Sequence, residues 1–94
     1  MNCRHYIAYT GIRLPYKFVN EISDEELNLR NTYFKAYYDK EGKMTRCEKI
    51  VYGEVEFTHN YDYYADGVIK RAEILEAGEG ARYIHYHENG FPIV

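Results

Sequence analysis

Hydrophobic and polar residues alternate along most of the chain after residue 31, which is the pattern of half-buried β-strands. The alternation predicts six strands, at 32–39, 43–51, 54–64, 68–76, 81–87 and 91–94. Turn-forming residues separate them, so each strand is expected to pair antiparallel with the next one. The predicted fold class is therefore mostly β, an antiparallel β-meander of about six strands.

Three of the turns share one spacing, which fixes how their flanking strands pair. Gly42, Gly67 and Gly90 each close a four-residue turn, and a tyrosine stands four residues before each of them. A type I turn that ends on a glycine with positive φ forms a three-residue hairpin loop. The spacing thus predicts the pairs Asp39–Lys43, Tyr64–Val68 and His87–Phe91. A two-residue turn at Tyr52-Gly53 and a looser turn over 77–80 join the remaining strands.

Continued along the strands without interruption, this pairing predicts one hydrophobic and one polar face. The hydrophobic face holds Phe34, Ala36, Tyr38, Met44, Ile50, Val55, Phe57, Tyr61, Tyr63, Ile69, Leu75, Ile84, Tyr86 and Val94. The polar face holds Lys35, Asp39, Lys43, Thr45, Lys49, Glu54, Glu56, Thr58, Asn60, Asp62, Lys70 and Glu76. A sheet of this kind needs a cover over its hydrophobic face.

The N-terminal third is one candidate for that cover. Ile7 and Tyr9, and then Ile12, Leu14 and Tyr16, alternate about a Thr10-Gly11 turn, which predicts a hairpin over residues 4–18. Residues 23–26, Ser-Asp-Glu-Glu, have capping-box spacing and predict a short helix at 24–30, with an acidic loop as the alternative. The second candidate for the cover is another copy of the chain.

Composition narrows the class of protein. The 94 residues fit a single domain spanning 1–94, with residues 1–31 as hairpin and connector and 32–94 as the meander. No hydrophobic run is long enough for a membrane helix and no signal-peptide pattern opens the chain, so we expect a cytoplasmic protein with no membrane partner. Twelve of the 16 aromatic residues are tyrosines, on which the bases of a single-stranded nucleic acid could stack. The net charge of −3 nevertheless argues against a nucleic-acid partner.

A row of charged residues is predicted on the hydrophobic face. The pairing places Arg46, His59 and Glu73 side by side, with Arg71 and Glu48 diagonal to them. The neighbouring row contains Tyr61 and Tyr86. As a binding site, the two arginines would clamp a carboxylate or phosphate, and Glu73 would orient His59 as a general base.

The same charges also fit a purely structural interpretation. The Arg-x-Glu pattern occurs twice, at 46–48 and 71–73, and repeated motifs copy packing solutions. In that interpretation Arg46–Glu73 and Arg71–Glu48 form ion pairs, with each arginine stacked on a tyrosine. We consider this the stronger of the two interpretations.

Other chemistry-bearing residues point away from catalysis. His85 and His87 have H-x-H spacing, but the sequence offers no third ligand, so no metal site is predicted. Cys3 and Cys47 are 44 residues apart and form no Cys-x-x-Cys motif, and both are expected to be reduced thiols. Ser23 is the only serine and stands at the predicted helix cap. No catalytic residue and no cofactor are predicted.

The motif Tyr38-Asp39-x-x-Gly42, with looser copies ending at Gly67 and Gly90, resembles the Tyr-Asp (YD/Rhs) repeats and the related MORN-variant repeats of small bacterial proteins. The whole chain, including residues 30–34 and 46–49, also resembles a small bacterial family of uncharacterised proteins. The repeat resemblance implies a sheet of successive hairpins that binds or scaffolds, and some MORN-variant proteins are labelled antitoxins.

The predicted function is therefore a non-enzymatic binding or protein-interaction module of antitoxin or immunity type. The alternative is a small-anion-binding protein or enzyme that uses Arg46, His59, Glu73 and Arg71. A protein partner is expected, and a second copy of the chain is the favoured one. Such a homodimer would form through strand 32–39, expected at one edge of the sheet, or through the uncovered part of the hydrophobic face.

Overall fold

The computed structural model describes residues 2–11 and 13–94. Within these residues the chain forms seven strands and one short helix, and the strands make a single antiparallel sheet. The elements are β1 (Asn2–Thr10), β2 (Lys17–Glu21), α1 (Asp24–Leu27), β3 (Thr32–Tyr38), β4 (Met44–Val51), β5 (Glu54–Tyr63), β6 (Ile69–Glu76) and β7 (Arg82–His85). Their order across the sheet is β2-β1-β3-β4-β5-β6-β7, which confirms the mostly β meander.

The three glycine turns have the predicted geometry. Backbone N–H groups of Asp39, Tyr64 and His87 donate to the carbonyls of Lys43, Val68 and Phe91 at 2.9, 2.8 and 2.8 Å. The closing glycines all have positive φ, between 83° and 92°. The two-residue turn at Tyr52-Gly53 also forms, and it pairs Val51 with Glu54. The sequence therefore predicts each of these connections correctly.

Beyond the turns, β-bulges shift the register by one residue. Tyr38 pairs with Met44 but Tyr37 pairs with Arg46, so Thr45 is an extra residue in β4. Glu56 in β5 and Lys70 in β6 are extra in the same way. Since side chains alternate with period two, one extra residue exchanges the faces of every residue that follows until the next shift.

The exchange corrects the predicted faces. The residues that leave the hydrophobic face for the polar one are Arg46, Glu48, Ile50, Val55, Arg71, Glu73 and Leu75. By register, Lys49, Glu54 and Glu76 move the other way. Small residues take the vacated core positions, because Cys47 and Ala72 lie on the hydrophobic face and are fully buried. The main core comprises Ala36, Met44, Cys47, Tyr61, Ile69, Ala72 and Tyr86.

The N-terminal segment both extends the sheet and covers its hydrophobic face. β1 pairs with β3, for example Tyr6 with Phe34, and with β2, for example Ala8 with Val19. The second strand of the hairpin is therefore 17–21 rather than 12–18. Residues 13–16 instead cross the hydrophobic face, where Leu14 and Tyr16 pack against the core. The predicted position of Ile12 falls outside the described residues.

Three further predictions change, one on the helix and two on the edges of the sheet. Helix α1 forms behind its Ser23 cap, whose Oγ accepts from the Glu26 N–H at 3.3 Å, but it ends at Leu27. The predicted strand 91–94 is wrong: only a single bridge, Tyr86 with Pro92, remains, and Val94 is exposed. Strand 32–39 is not an edge either, because β1 covers it, so β2 and β7 are the edges of the described sheet.

Helix α1, the one helix in residues 2–11 and 13–94, lacks the length and hydrophobicity needed to cross a membrane.

Candidate functional site

The predicted charged row is divided between the two faces of the sheet. Arg46, Glu48, Arg71 and Glu73 lie on the polar face, whereas His59 lies on the hydrophobic one. Tyr61 and Tyr86 also lie on the hydrophobic side, in the core. The predicted side-by-side placement of Arg46, His59 and Glu73 is therefore wrong, and the bulges at Thr45, Glu56 and Lys70 are the reason. His59 instead pairs with Cys47 and Ile74.

On the polar face, one row of side chains crosses five strands. Register pairs run from Tyr37 to Arg46, Asn60, Glu73 and Tyr83. These residues, together with Glu48, Asp62 and Arg71 beside them, form what we call the tyrosine–arginine face. Directly opposed residues in a sheet are about 5 Å apart, so the members of the row are side-chain neighbours.

Glu48 is the anchor of one end of this face. Its side chain is almost completely buried, and Tyr37 Oη donates to its Oε1 at 3.0 Å. Arg46 Nη2 donates to the other oxygen, Oε2, at 3.3 Å. The Arg46 guanidinium also lies over the Tyr37 ring, 5.8 Å from its centroid. Both carboxylate oxygens of Glu48 are thus occupied by partners within the face.

Glu73 plays the same part at the other end. Asn60 Nδ2 donates to its Oε1 at 3.0 Å, and Tyr83 Oη donates to its Oε2 at 2.9 Å. Both hydrogen bonds lower the pKa of the Glu73 carboxyl, and the bond from Tyr83 has the larger effect. Arg71 lies over the Tyr83 ring, 5.7 Å from its centroid, and pairs with Asp62 at 3.0 Å.

The predicted ion pairs are replaced by others. Arg46 pairs with Glu48 of its own strand and Arg71 with Asp62, rather than Arg46 with Glu73 and Arg71 with Glu48. The side chains of both arginines remain about half exposed. An arginine has five N–H donors, so Arg46 and Arg71 each retain N–H groups that are not hydrogen-bonded to any described residue. In Glu48 and Glu73, by contrast, both carboxylate oxygens already accept a hydrogen bond. The hydrogen-bonding capacity left on this face is therefore mainly of donor type.

His59 belongs to a different constellation on the hydrophobic face. Its Nδ1 is 2.8 Å from Tyr61 Oη, which in turn is 3.6 Å from Cys47 Sγ. Burial lowers the pKa of His59 to about 4, so the ring is neutral at physiological pH. Burial also raises the pKa of Cys47 to about 11, which leaves its thiol protonated.

His59 lines a cleft of about 380 Å³ between residues 14–16 and the sheet. The hydrophobic wall of this cleft consists of Leu14, Tyr16, Phe57, Ile74 and Ile84. Arg82 and Glu76 stand at its mouth, with Arg82 Nη2 3.5 Å from Glu76 Oε1. We call this space the His59 cleft.

Side chains that could bind a metal ion are not grouped together in the described residues. Among residues 2–11 and 13–94, no three His, Cys, Asp or Glu side chains are grouped as a metal site would require. His85 pairs with Arg71 across β6 and β7, and His87 belongs to the last glycine turn.

Four members of the tyrosine–arginine face are not among the site residues that the sequence predicts: Tyr37, Asn60, Asp62 and Tyr83. Uninterrupted pairing places Asn60 on the polar face but its neighbours Arg46 and Glu73 on the opposite one. One signal points to the true arrangement, namely the small central residue of each Arg-x-Glu motif, Cys47 and Ala72. A small apolar residue between two charged ones favours a core position for itself and the polar face for its neighbours.

The comparisons with known proteins bear on the whole chain. No curated protein and no solved structure matches it. One protein family matches over residues 1–94, and that family carries the description "Family of unknown function (DUF6156)". A match over the full length establishes membership, and the chain therefore belongs to the DUF6156 family of unknown function.

Proposed function

We propose that this protein is a non-enzymatic protein-interaction module that binds an acidic segment of a partner protein on its tyrosine–arginine face. The observation that carries the proposal is the row from Tyr37 to Tyr83, in which two tyrosines flank an arginine, an asparagine and a glutamate. Tyrosine and arginine are enriched at the energetic centres of protein interfaces.

The face is held in place before any partner arrives. Glu48 fixes Tyr37 and Arg46, and Glu73 fixes Asn60 and Tyr83, all at 3.3 Å or less. Ordering flexible side chains is one of the main free-energy costs of association. A face whose long side chains are already ordered avoids part of that cost, which favours a binding role.

The unused donors indicate the chemistry of the partner. Arg46 and Arg71 retain free N–H groups, and Lys35 adds a third cation next to Tyr37, 5.6 Å from its ring centroid. An acceptor-rich segment, with Asp or Glu side chains, would satisfy these donors with charge-assisted bonds. Glu48, Asp62 and Glu73 balance these three cations, so the unused donors rather than a positive net charge suit the face to an anionic partner.

The alternative function, a single anion-binding or catalytic row, loses its geometric basis. Arg46 and Arg71 cannot act with His59 on one substrate because they lie on the opposite side of the sheet.

An antitoxin or immunity role is the specific form of the proposal. In that role the chain would bind and neutralise one cognate protein, and a rigid, preordered face suits such a task. The partner would then be encoded next to this gene and would arrest growth when produced alone.

Affinity capture with matched variants tests the proposal. The test variant is Arg46→Gln/Arg71→Gln, and the control is Lys17→Gln/Lys40→Gln, which removes two exposed cations outside the face. We expect one acidic partner to be retained by the wild type and the control and to bind the test variant at least about ten-fold more weakly. Equal binding by both variants, or a basic partner, would overturn the proposal.

Two further measurements complete the test. Co-expression of the captured partner should arrest growth unless the wild-type chain is present, and the test variant should fail to protect. Light scattering at micromolar concentration examines the predicted homodimer. A mass of 11.2 kDa that does not change on dilution would eliminate the second copy as a partner.

A further inference from the structure

We propose that the His59 cleft binds a small monocarboxylate with an apolar, aryl or branched body, the carboxylate accepting from His59 Nε2–H and Arg82. This site is on the opposite side of the sheet from the tyrosine–arginine face and does not depend on the function proposed for that face. The proposal rests on the hydrogen bonds of His59, the ion pairs at the cleft mouth and the residues of the cleft wall.

The orientation of the His59 proton follows from its neighbours. Tyr61 Oη lies 2.8 Å from Nδ1 and 3.6 Å from the thiol of Cys47. An imidazole nitrogen is a much stronger acceptor than sulfur, so the phenol donates to Nδ1 and the thiol proton faces the phenol oxygen. In a neutral ring, the remaining proton is then on Nε2.

His59 Nε2 ends the series of hydrogen bonds that runs from Cys47 through Tyr61 to His59. Within residues 2–11 and 13–94 it has no hydrogen-bond partner, whereas every fully buried polar side-chain atom there has one. Nε2 therefore keeps some accessible surface, and the cleft that His59 lines is the space open to it. A buried histidine whose only unused polar atom is a donor facing a cleft is suited to a ligand oxygen.

Arg82 provides the charge. It belongs to the same cross-strand row as His59, with Ile74 between them, so the two backbones are two strand spacings, about 10 Å, apart. The long Arg82 side chain and a carboxylate group together span that gap. Burial is the main cause of the lowered pKa of His59, whereas the charge of Glu76 raises this pKa and that of Arg82 lowers it, so both cleft-mouth residues are near enough to act on the ring.

The existing partner of Arg82 is easily exchanged. Its contact with Glu76 is long, at 3.5 Å, and both side chains are about half exposed or more. Such surface pairs contribute little free energy. The other carboxylate that lines the cleft, Glu56, is already paired with Lys49 at 3.1 Å. A ligand carboxylate can therefore replace Glu76 on Arg82.

The cleft wall sets the class of ligand. Phe57, Ile74 and Ile84 offer a hydrophobic surface beside His59, and Tyr16 lies 5.2 Å from its ring. The volume of about 380 Å³ is near the lower end of the range for small-molecule sites, about 300–1,000 Å³. A ligand of one ring and a short acid arm fits this space, whereas a purely inorganic anion leaves the wall unused.

The test is a titration with 3-phenylpropionate, followed by two-dimensional ¹H–¹⁵N NMR, with 3-phenylpropanamide as the uncharged control. We expect saturable shifts at residues 57–59, 74–76 and 82–84, with a millimolar dissociation constant, as befits so small a ligand. The amide should bind much more weakly, because it cannot form the charged contact with Arg82.

Two exposed substitutions should change the affinity in opposite directions. Arg82→Gln should weaken binding roughly ten-fold, and Glu76→Gln should strengthen it about three-fold, because the competing carboxylate is gone. A general loss of structure could not produce this opposite pair. No saturable shift, equal binding of acid and amide, or an unchanged affinity in Arg82→Gln would each overturn the proposal.

Discussion

Tyr37 donates a 3.0 Å hydrogen bond from its phenol to Glu48, a residue with only 7% of its surface exposed although it lies on the polar face of the sheet. A buried carboxylate is tolerated only when its oxygens have partners. The tyrosines of this face therefore stabilise the fold as well as presenting a surface. This double role makes the contribution of Tyr37 measurable without a partner.

Removal of the Tyr37 hydroxyl should destabilise the protein. Tyr37→Phe leaves Glu48 Oε1 without its donor, and an unsatisfied buried acceptor costs about 1–2 kcal/mol. Urea unfolding followed by circular dichroism measures this change. The matched control is Tyr33→Phe on the same strand, since the Tyr33 hydroxyl has no hydrogen-bond partner among the described residues. Equal effects of the two substitutions would mean that the hydrogen bond to Glu48 does not contribute measurably to the free energy of unfolding.

A second prediction concerns the glycine turns. Gly67 has a φ of 92°, a conformation that β-branched residues strongly disfavour, whereas an added Cβ would make only an ordinary contact with Lys43 Cε, at 3.7 Å. Gly67→Val should lower the free energy of unfolding by about 1–2 kcal/mol. Gly80→Val is the control, because Gly80 lies in open space without a positive φ. If both variants unfold at the same urea concentration, the turn geometry is wrong.

The bulged register predicts the reactivity of the two thiols. Cys47 is fully buried, and burial raises its pKa to about 11, whereas Cys3 is exposed. The native protein should therefore react with Ellman's reagent at one thiol, and Cys3→Ser should react only after unfolding. Rapid labelling of Cys47 in folded Cys3→Ser would contradict the bulged register. It would instead support uninterrupted pairing, which places Cys47 on the polar face.

His59 should make stability depend on pH. Its pKa falls from 6.5 to about 4 on folding, so the unfolded chain binds the extra proton between these values. Stability is then complete above pH 6.5 and is lost as the pH falls toward 4, with about 2 kcal/mol lost between pH 7 and pH 5. Urea unfolding across this range should show the slope in the wild type and in the exposed-histidine control His87→Gln. The slope should be much smaller in His59→Gln, and an equal slope there would contradict the assignment.

The sequence predicts the turns but not the faces, for a physical reason. A glycine with positive φ has few substitutes, so Gly42, Gly67 and Gly90 mark their turns clearly. The extra residues Thr45, Glu56 and Lys70 are polar and exposed or half-exposed, and they are indistinguishable from ordinary strand positions. One unrecognised bulge then inverts each strand, so uninterrupted pairing places Arg46, Glu48, Arg71 and Glu73 on the wrong face.

The N-terminal segment shows a second limit. The alternation of hydrophobic residues at Leu14 and Tyr16 fits two structures equally well. One is a strand within the sheet, and the other is an extended segment that crosses the hydrophobic face and packs every second side chain against the core. The choice depends on contacts far along the chain, such as that of Tyr16 with His59, whose ring centroids are 5.2 Å apart. Such contacts leave no trace in local spacing.

Site-specific photo-crosslinking tests most directly whether the tyrosine–arginine face binds a protein. With p-benzoylphenylalanine replacing Tyr83, irradiation in the native host should yield one discrete adduct with an acidic protein. The same probe replacing Tyr52, which is even more exposed but lies outside the face, should yield none. The adduct at position 83 should disappear when Arg46→Gln and Arg71→Gln are added. An adduct that persists in that background, the same adduct from both positions, or no adduct at position 83 would contradict the proposed binding face.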